Sequence, residues 1–186
     1  MRQLKAQHDT VERAIMSIER YRKSPATGTI SLEYIDRRFA WGIPCSDNFY
    51  QDDVHSFEQS LRELRLKLEE KGFQQIHSYD IGTSILQKDF LEDRFLPDRI
   101  FIFTNTRDQG DLSALQEVES GMYACIYLDN YDDEVRCARQ LRSYCENMSY
   151  QIAGDYICEV MTGFNVFDND PRSMFLRLQV PVTFQK

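Results

Sequence analysis

Twice along this chain an Asp-Asp pair opens an amphipathic stretch of helical period, and twice that stretch is followed by two runs rich in aliphatic and aromatic residues. In the first occurrence Asp52 and Asp53 act as cap and first-turn acid, Val54, Phe57, Leu61, Leu64 and Leu68 mark a buried stripe, and Gly72 ends the helix. The runs Ile76–Leu86 and Arg99–Thr104 then predict strands. In the second, Asp132 and Asp133 are expected to cap a helix that turns Val135, Ala138, Leu141, Cys145 and Met148 inward, with strands expected at Asp155–Thr162 and Met174–Phe184. A strand-like run also precedes each helix: Ile30–Trp41, closed by Gly42-Ile43-Pro44, and Met122–Leu128. Phe73-Gln74 and Tyr150-Gln151 occupy matching places where helix hands over to strand. The pattern predicts an α+β fold: an antiparallel sheet from a duplicated strand-helix-strand-strand unit, with the helices on one face. The two units are expected over 29–105 and 121–186 of a domain spanning 29–186.

Residues 1–23 stand apart from that scheme. Arg2 to Lys23 lack Gly and Pro and place Leu4, His8, Val11, Ile15 and Ile18 at alternating spacings of four and three, a heptad seam. Three heptads or so are the lower limit for a coiled coil, so the helix needs a partner helix or a domain surface. Ser24-Pro25-Ala26-Thr27-Gly28-Thr29 separates it from the domain, which favours pairing of residues 4–18 with a second copy of the chain over packing on its own domain.

At 186 residues the chain holds one well-cored domain plus this appended helix. With 42% hydrophobic and 28% charged residues it has the composition of an ordinary soluble protein. No segment has the apolar length of a membrane span or the pattern of a signal peptide, so a cytoplasmic location without membrane contact is expected. The net charge of −8 opposes approach to a phosphate backbone, and this chain alone is not expected to bind DNA. Five cysteines are odd in number and never fall as CxxC, so they read as small buried hydrophobes. His8, His55 and His77 lack metal-ligand spacing, and no nucleophile elbow, phosphate loop or dinucleotide fingerprint occurs. Asp168-Asn169-Asp170 lacks the turn glycine of a calcium loop, and Gln179 stands where a bidentate Glu is needed. No metal, cofactor or catalytic residue is therefore expected.

If the helices cover one face of the sheet, the other face is where a binding site would lie. Glu159 shares its face with Ile157 and Met161, while Tyr156, Cys158 and Val160 point the other way. A carboxylate in so apolar a run reaches the rim, finds a partner, or is held for a ligand. Alternation offers Tyr34, Phe39, Trp41, Phe101, Phe103, Tyr123, Tyr127 and Tyr156 as aromatic candidates beside Glu159, without assigning all to one side. Aromatic walls around a carboxylate suit a lipophilic cation. The alternative is that the aromatics are core and that Glu159 pairs with a neighbouring Arg such as Arg177.

The run Ala153-Gly154-Asp155-Tyr156 through Glu159, an acidic spacer, and the terminal Leu178-Gln179-Val180-Pro181-Val182 resemble the C-terminal effector-binding, gyrase-inhibitor-like domain of MerR-family multidrug-responsive transcription regulators. The N-terminal helix fits, since in that family such a helix links the DNA-binding head to the effector domain and pairs antiparallel in the dimer. The resemblance implies a pocket for small, often cationic, aromatic compounds. It makes Glu159 an acidic pocket residue and Tyr156 an aromatic one, within a candidate set that also holds Tyr123, Tyr127, Tyr34, Phe39, Trp41, Phe101 and Arg177. Arg177 is itself a departure: family members often carry an acid there, and an Arg either neutralises Glu159 or favours an anionic or neutral ligand. The winged-helix head, through which DNA would be bound, is not in this sequence. The chain is thus expected to be the small-molecule-sensing part of a regulator. The alternative is a stand-alone binding protein or hydrolase of the same superfamily using Glu159 as general base.

Overall fold

The run Ile30–Trp41, continuous in composition, is broken in space. A computed structural model, describing residues 11–12, 15, 19, 22–51, 54–72, 81–104, 115–162 and 175–184, ends strand β1 (Ile30–Ile35) before Asp36-Arg37 and begins β2 (Arg38–Pro44) after it. The remaining elements are α1 (Val54–Glu70), β3 (Ile81–Ile85), a short α2 (Gln87–Leu91), β4 (Arg99–Thr104), β5 (Gln116–Val118), β6 (Gly121–Leu128), a 3₁₀ turn (Tyr131–Asp133) leading into α3 (Glu134–Asn147), β7 (Tyr150–Ile152), β8 (Tyr156–Thr162) and β9 (Phe175–Phe184).

The nine described strands pair antiparallel in the order β1-β6-β9-β8-β3-β4-β2-β5, with β7 along the far part of β9. Outward from the β8–β3 seam, β8-β9-β6 on one side mirrors β3-β4-β2 on the other. In each triple the outermost strand comes first in sequence, its helix second, and the third strand fills the gap between the first two. β1 and β5 are additions to the two flanks. β1 and β2 sit toward opposite ends of this order, yet only two residues join them. Such a link spans no more than about 10 Å, so the sheet must curl until its flanks approach. Curling leaves a convex face and a concave face.

The convex face carries the helices. Leu64 and Leu68 of α1, Phe90 of α2, and Cys137, Ala138, Leu141 and Cys145 of α3 pack on Trp41, Ile81, Ile85, Ile100, Ile102, Ala124, Ile126, Leu128, Leu176, Leu178 and Val180. Burying side chains of this size stabilises by roughly 1.5–3 kcal/mol each. The fold is thus the α+β arrangement expected, with helices on one face. Several details differ. Asp133, the residue before α3, makes no capping hydrogen bond with its side chain; Asn130 accepts from the Asp132 backbone N–H at 2.9 Å and starts the 3₁₀ turn. Met148 lies past the end of α3 and is exposed, while Cys137 takes an inward position. The acidic connection after β3 contains helix α2, whose Phe90 is buried. Asp52, Asp53 and residues 76–80 of the expected strand Ile76–Leu86 lie outside the described residues.

The cysteines are free, four buried and Cys45 half-buried, as small apolar side chains would be. Positions 11, 12, 15, 19, 22 and 23 are helical, and Val11 and Ile15 expose 58% and 53% of their surface within the single chain. Leu4, His8 and Ile18 of the seam lie outside the described residues.

Candidate functional site

On the concave face, register lines up side chains from strand to strand. Tyr127 of β6 faces Arg177 of β9, Arg177 faces Glu159 of β8, Glu159 faces Gly82 of β3, Gly82 faces Phe101 of β4, and Phe101 faces Gly42 of β2. The two glycines are where they are because a Cβ on Gly42 would lie 2.4 Å from Phe101 Cβ, and one on Gly82 would lie 2.5 Å from the Phe101 ring. Phe101 therefore lies across β3 next to Glu159. Beside this row stand Gln179, opposite both Cys125 and Ile157, and Tyr123.

Glu159 is 2% exposed and is not bare. Its Oε2 accepts from Arg177 Nη2 at 2.7 Å, from Arg38 Nη1 at 2.7 Å and from Gln179 Nε2 at 2.9 Å. Arg38 reaches it from the other flank of the curled sheet, gives its second terminal nitrogen to Gln179 Oε1 at 2.8 Å, and rests its guanidinium 4.2 Å from the centre of the Phe103 ring. Arg177 also stands 3.7 Å from Glu33 of β1, a carboxylate that accepts from the Tyr127 hydroxyl at 2.9 Å and the Ser31 hydroxyl at 2.6 Å. Burial pulls the Arg177 guanidinium down, but the Glu159 carboxylate and Tyr127 more than reverse this and hold it above the ordinary arginine value. Arg38 is held below that value, because burial and the second guanidinium together outweigh its contact with Glu159. Apolar and aromatic side chains frame the group: Ile35, Tyr123, Cys125, Tyr127, Met161 and Phe175 on one side, Ala40, Phe101, Phe103 and Ile157 on the other. Tyr127 and Phe175 stack with centroids 5.5 Å apart.

Of the residues expected from sequence, the structure brings Glu159, Arg177, Tyr123, Tyr127, Phe101 and Phe103 together, and Glu159 meets Arg177 in the pairing that the sequence offered as the alternative to a ligand. It places the other four elsewhere. Trp41 and Tyr156 belong to the helix-side core, because each is one position out of phase with the concave-face residues of its strand. Phe39 follows Arg38 and turns to the opposite side, and Tyr34, paired with Met122, is 65% exposed. Arg38, Gln179, Glu33 and Phe175 were not in the expected set. Gln179 had a readable signal: in Phe175-Leu176-Arg177-Leu178-Gln179-Val180, the polar residues alternate strictly with aliphatic ones, so Gln179 must share a face with Arg177. Arg38 had none, since nothing in its neighbourhood announces a reach across the sheet.

Tyr156 has its own acidic partner on the helix side. Glu134, 1% exposed at the start of α3, accepts from the Tyr156 hydroxyl at 2.8 Å and the Tyr50 hydroxyl at 2.7 Å. Burial raises its carboxyl above the ordinary range, although hydrogen bonds from Tyr50, Tyr156 and the Cys158 thiol work against the shift. Among the described residues no group of three or more His, Cys, Asp or Glu side chains is placed to hold a metal, and no helix is long and apolar enough to cross a membrane. An open depression of about 430 Å³ between Gln87, Leu91, Glu146 and Tyr150 lies on the helix side, away from both carboxylates.

No family model and no curated protein sequence matches the chain. Solved structures do. The C-terminal domain of EcmrR is similar at a TM-score of 0.56 and 12% identity, covering 83% of this chain and 97% of that one; with EcmrR in its DNA complex the coverage is 97% and 69%, at a TM-score of 0.54 and 11% identity. SAV2435 bound to tetraphenylphosphonium is similar at 0.50 and 12% identity, covering 83% and 94%, and a hydrolase from Listeria innocua at 0.52 and 10%, covering 89% and 96%. The resemblance to effector-binding domains of MerR-family regulators thus holds at the level of the fold.

Proposed function

We propose that this chain is the ligand-sensing effector-binding domain of a transcription regulator and takes a small lipophilic aromatic compound on the concave face. The observation that supports the reading most is the polar group Glu159-Arg38-Arg177-Gln179 set among Phe101, Phe103, Tyr123, Tyr127 and Phe175, in a fold shared with a regulator's C-terminal domain and with a protein bound to tetraphenylphosphonium. Few polar groups at fixed positions within an aromatic lining orient a ligand, while the rings supply the area it buries. DNA would be engaged by a winged-helix head linked to the N-terminal helix. A cytoplasmic site of action and a homodimer through residues 4–18 belong to the same proposal, since Val11 and Ile15 present apolar side chains that a second helix would cover.

A panel of aromatic compounds added to the purified chain tests the reading. A ligand that binds only the folded state raises the melting temperature with concentration, and substitution of Tyr127 or Phe101 by Ala is expected to reduce that rise. A panel without any shift would defeat the proposal. For the dimer, Val11→Glu with Ile15→Glu is expected to give a folded monomer by sedimentation; an unmodified chain already monomeric at high concentration would end that part. The hydrolase reading is less favoured. A general base needs a lone pair aimed at its substrate's proton, and Glu159 Oε2 already accepts from three donors, two of them guanidiniums. Turnover of a reactive substrate such as an activated ester, lost in Glu159→Gln, would restore it.

A further inference from the structure

The deepest part of the concave face holds more donors than acceptors. Two guanidiniums meet at a single oxygen of Glu159, and a guanidinium carries five N–H groups and no acceptor. Among the described residues, the Nε of Arg38 and the Nε of Arg177 are both buried without a hydrogen-bond partner. The second acid nearby, Glu33, does not make up the difference: it lies at the rim, 3.7 Å from Arg177, and is occupied by the hydroxyls of Tyr127 and Ser31. Gln179 takes one hydrogen bond from Arg38 and returns one to Glu159, so it offsets no more of the donor excess than it adds. An arriving cation would have to displace two fixed positive charges from Glu159, the one fully buried carboxylate on this face among the described residues. An arriving anion would find donors already in place.

Resting on the ligand-binding reading above, we propose that the concave face recognises a small aromatic anion, whose carboxylate or similar oxyanion meets Arg38 and Arg177 while its ring lies against Phe101, Phe103, Tyr127 or Phe175. A planar two-oxygen anion suits the arrangement, because a guanidinium presents parallel N–H groups that match it. The ring of Phe103, already under the Arg38 guanidinium, fixes the direction of that side chain, so its donors stay oriented when the anion arrives.

The test uses the full chain and three probes of one shape: naphthoate, its neutral amide, and the naphthyltrimethylammonium cation, each titrated by calorimetry. Naphthoate is expected to bind at least about tenfold more tightly than the amide, a gap of about 1.4 kcal/mol, and the cation least. Arg38→Met and Arg177→Met should each erase the preference of naphthoate over the amide. If either variant fails to fold, Arg177→Lys keeps the charge but not the fork, and is expected to narrow the preference without abolishing it. Binding of the cation in preference to naphthoate would overturn the inference and leave the ligand-binding reading standing. A preference for naphthoate that survives in both Met variants would also overturn it, since the anion would then lie elsewhere. No binding of any probe would count against the ligand-binding reading itself.

Discussion

Two carboxylates, Glu134 and Glu159, lie almost wholly buried on opposite faces of one sheet, and their surroundings solve the same difficulty in opposite ways. Glu159 is met by two guanidiniums and an amide; Glu134 is met by two phenol hydroxyls and a thiol, with no cation near it among the described residues. Strand β8 is the wall between them, since Cys158 touches Glu134 and the next residue is Glu159. Removing a charge from water is costly, and a protein can restore the loss with an opposite charge or let the group hold its proton. The concave face does the first; on the helix side burial shifts Glu134 toward its protonated form. The concave face is held together by opposite charges, whereas on the helix side burial works against the charged form of its carboxyl.

The largest effect should come from removing the shared partner. Glu159→Gln leaves two poorly solvated guanidiniums without a counter-charge, and is expected to lower the stability of the ligand-free protein by about 3–5 kcal/mol in urea unfolding. A variant as stable as the parent would mean that the guanidiniums find water, and the contrast between the faces would collapse. Removing one guanidinium is milder, because the carboxylate keeps the other. Arg38→Met and Arg177→Met should each cost roughly 1–3 kcal/mol, and the double variant should cost more than their sum, as members of one network do. Strict additivity would show that the two arginines act separately.

On the helix side the sign reverses. Because burial raises the folded-state value of Glu134 above its unfolded value, the folded form binds the proton more tightly. Stability from this group is therefore fully present below the unfolded value, about 4.3, and is lost as pH rises through the raised folded value. Glu134→Gln, which keeps both oxygen and shape, should flatten that decline and melt no lower than the parent near neutral pH. A variant that melts markedly lower there would mean that Glu134 is charged and well compensated. The smallest change is Tyr156→Phe, which removes one donor and should cost about 1 kcal/mol. It should leave the probe preferences of the concave face untouched, because Tyr156 points away from it.

How much of this was legible depends on which physical rule was local. The period of two along β8 put Glu159 on the face away from Tyr156 and left its pairing with Arg177 as one of two readings, and the period of helices α1 and α3 found Leu64, Leu68, Ala138, Leu141 and Cys145 of the core. Tyr156 shows the limit: alternation already sends it to the side away from Glu159, yet nothing in the letters says that Glu134 waits there, since a Glu at a helix start reads as a first-turn acid. Arg38 lies 121 residues from Glu159 and 141 from Gln179, and it reaches them only because Asp36-Arg37 throws the chain from one flank of the sheet to the other. That break carries neither Gly nor Pro, so a run of strand-forming residues hides it.

The position of β9 has a consequence for how the molecule is made. It is the last described strand of the chain, yet it lies between β6 and β8 near the middle of the sheet. Until it emerges during synthesis, β1-β6 and β8-β3-β4-β2-β5 share no described strand that pairs with both, and the nascent sheet must wait as two patches linked by Asp36-Arg37 but not by hydrogen bonds between strands. Pairings so distant along the chain make for slow folding, and unpaired edges invite association with other chains in the meantime. A ribosome-bound chain stalled short of residue 175 is therefore expected to be protease-sensitive and to depend on chaperones, with order arriving abruptly as the ten residues of β9 clear the exit tunnel.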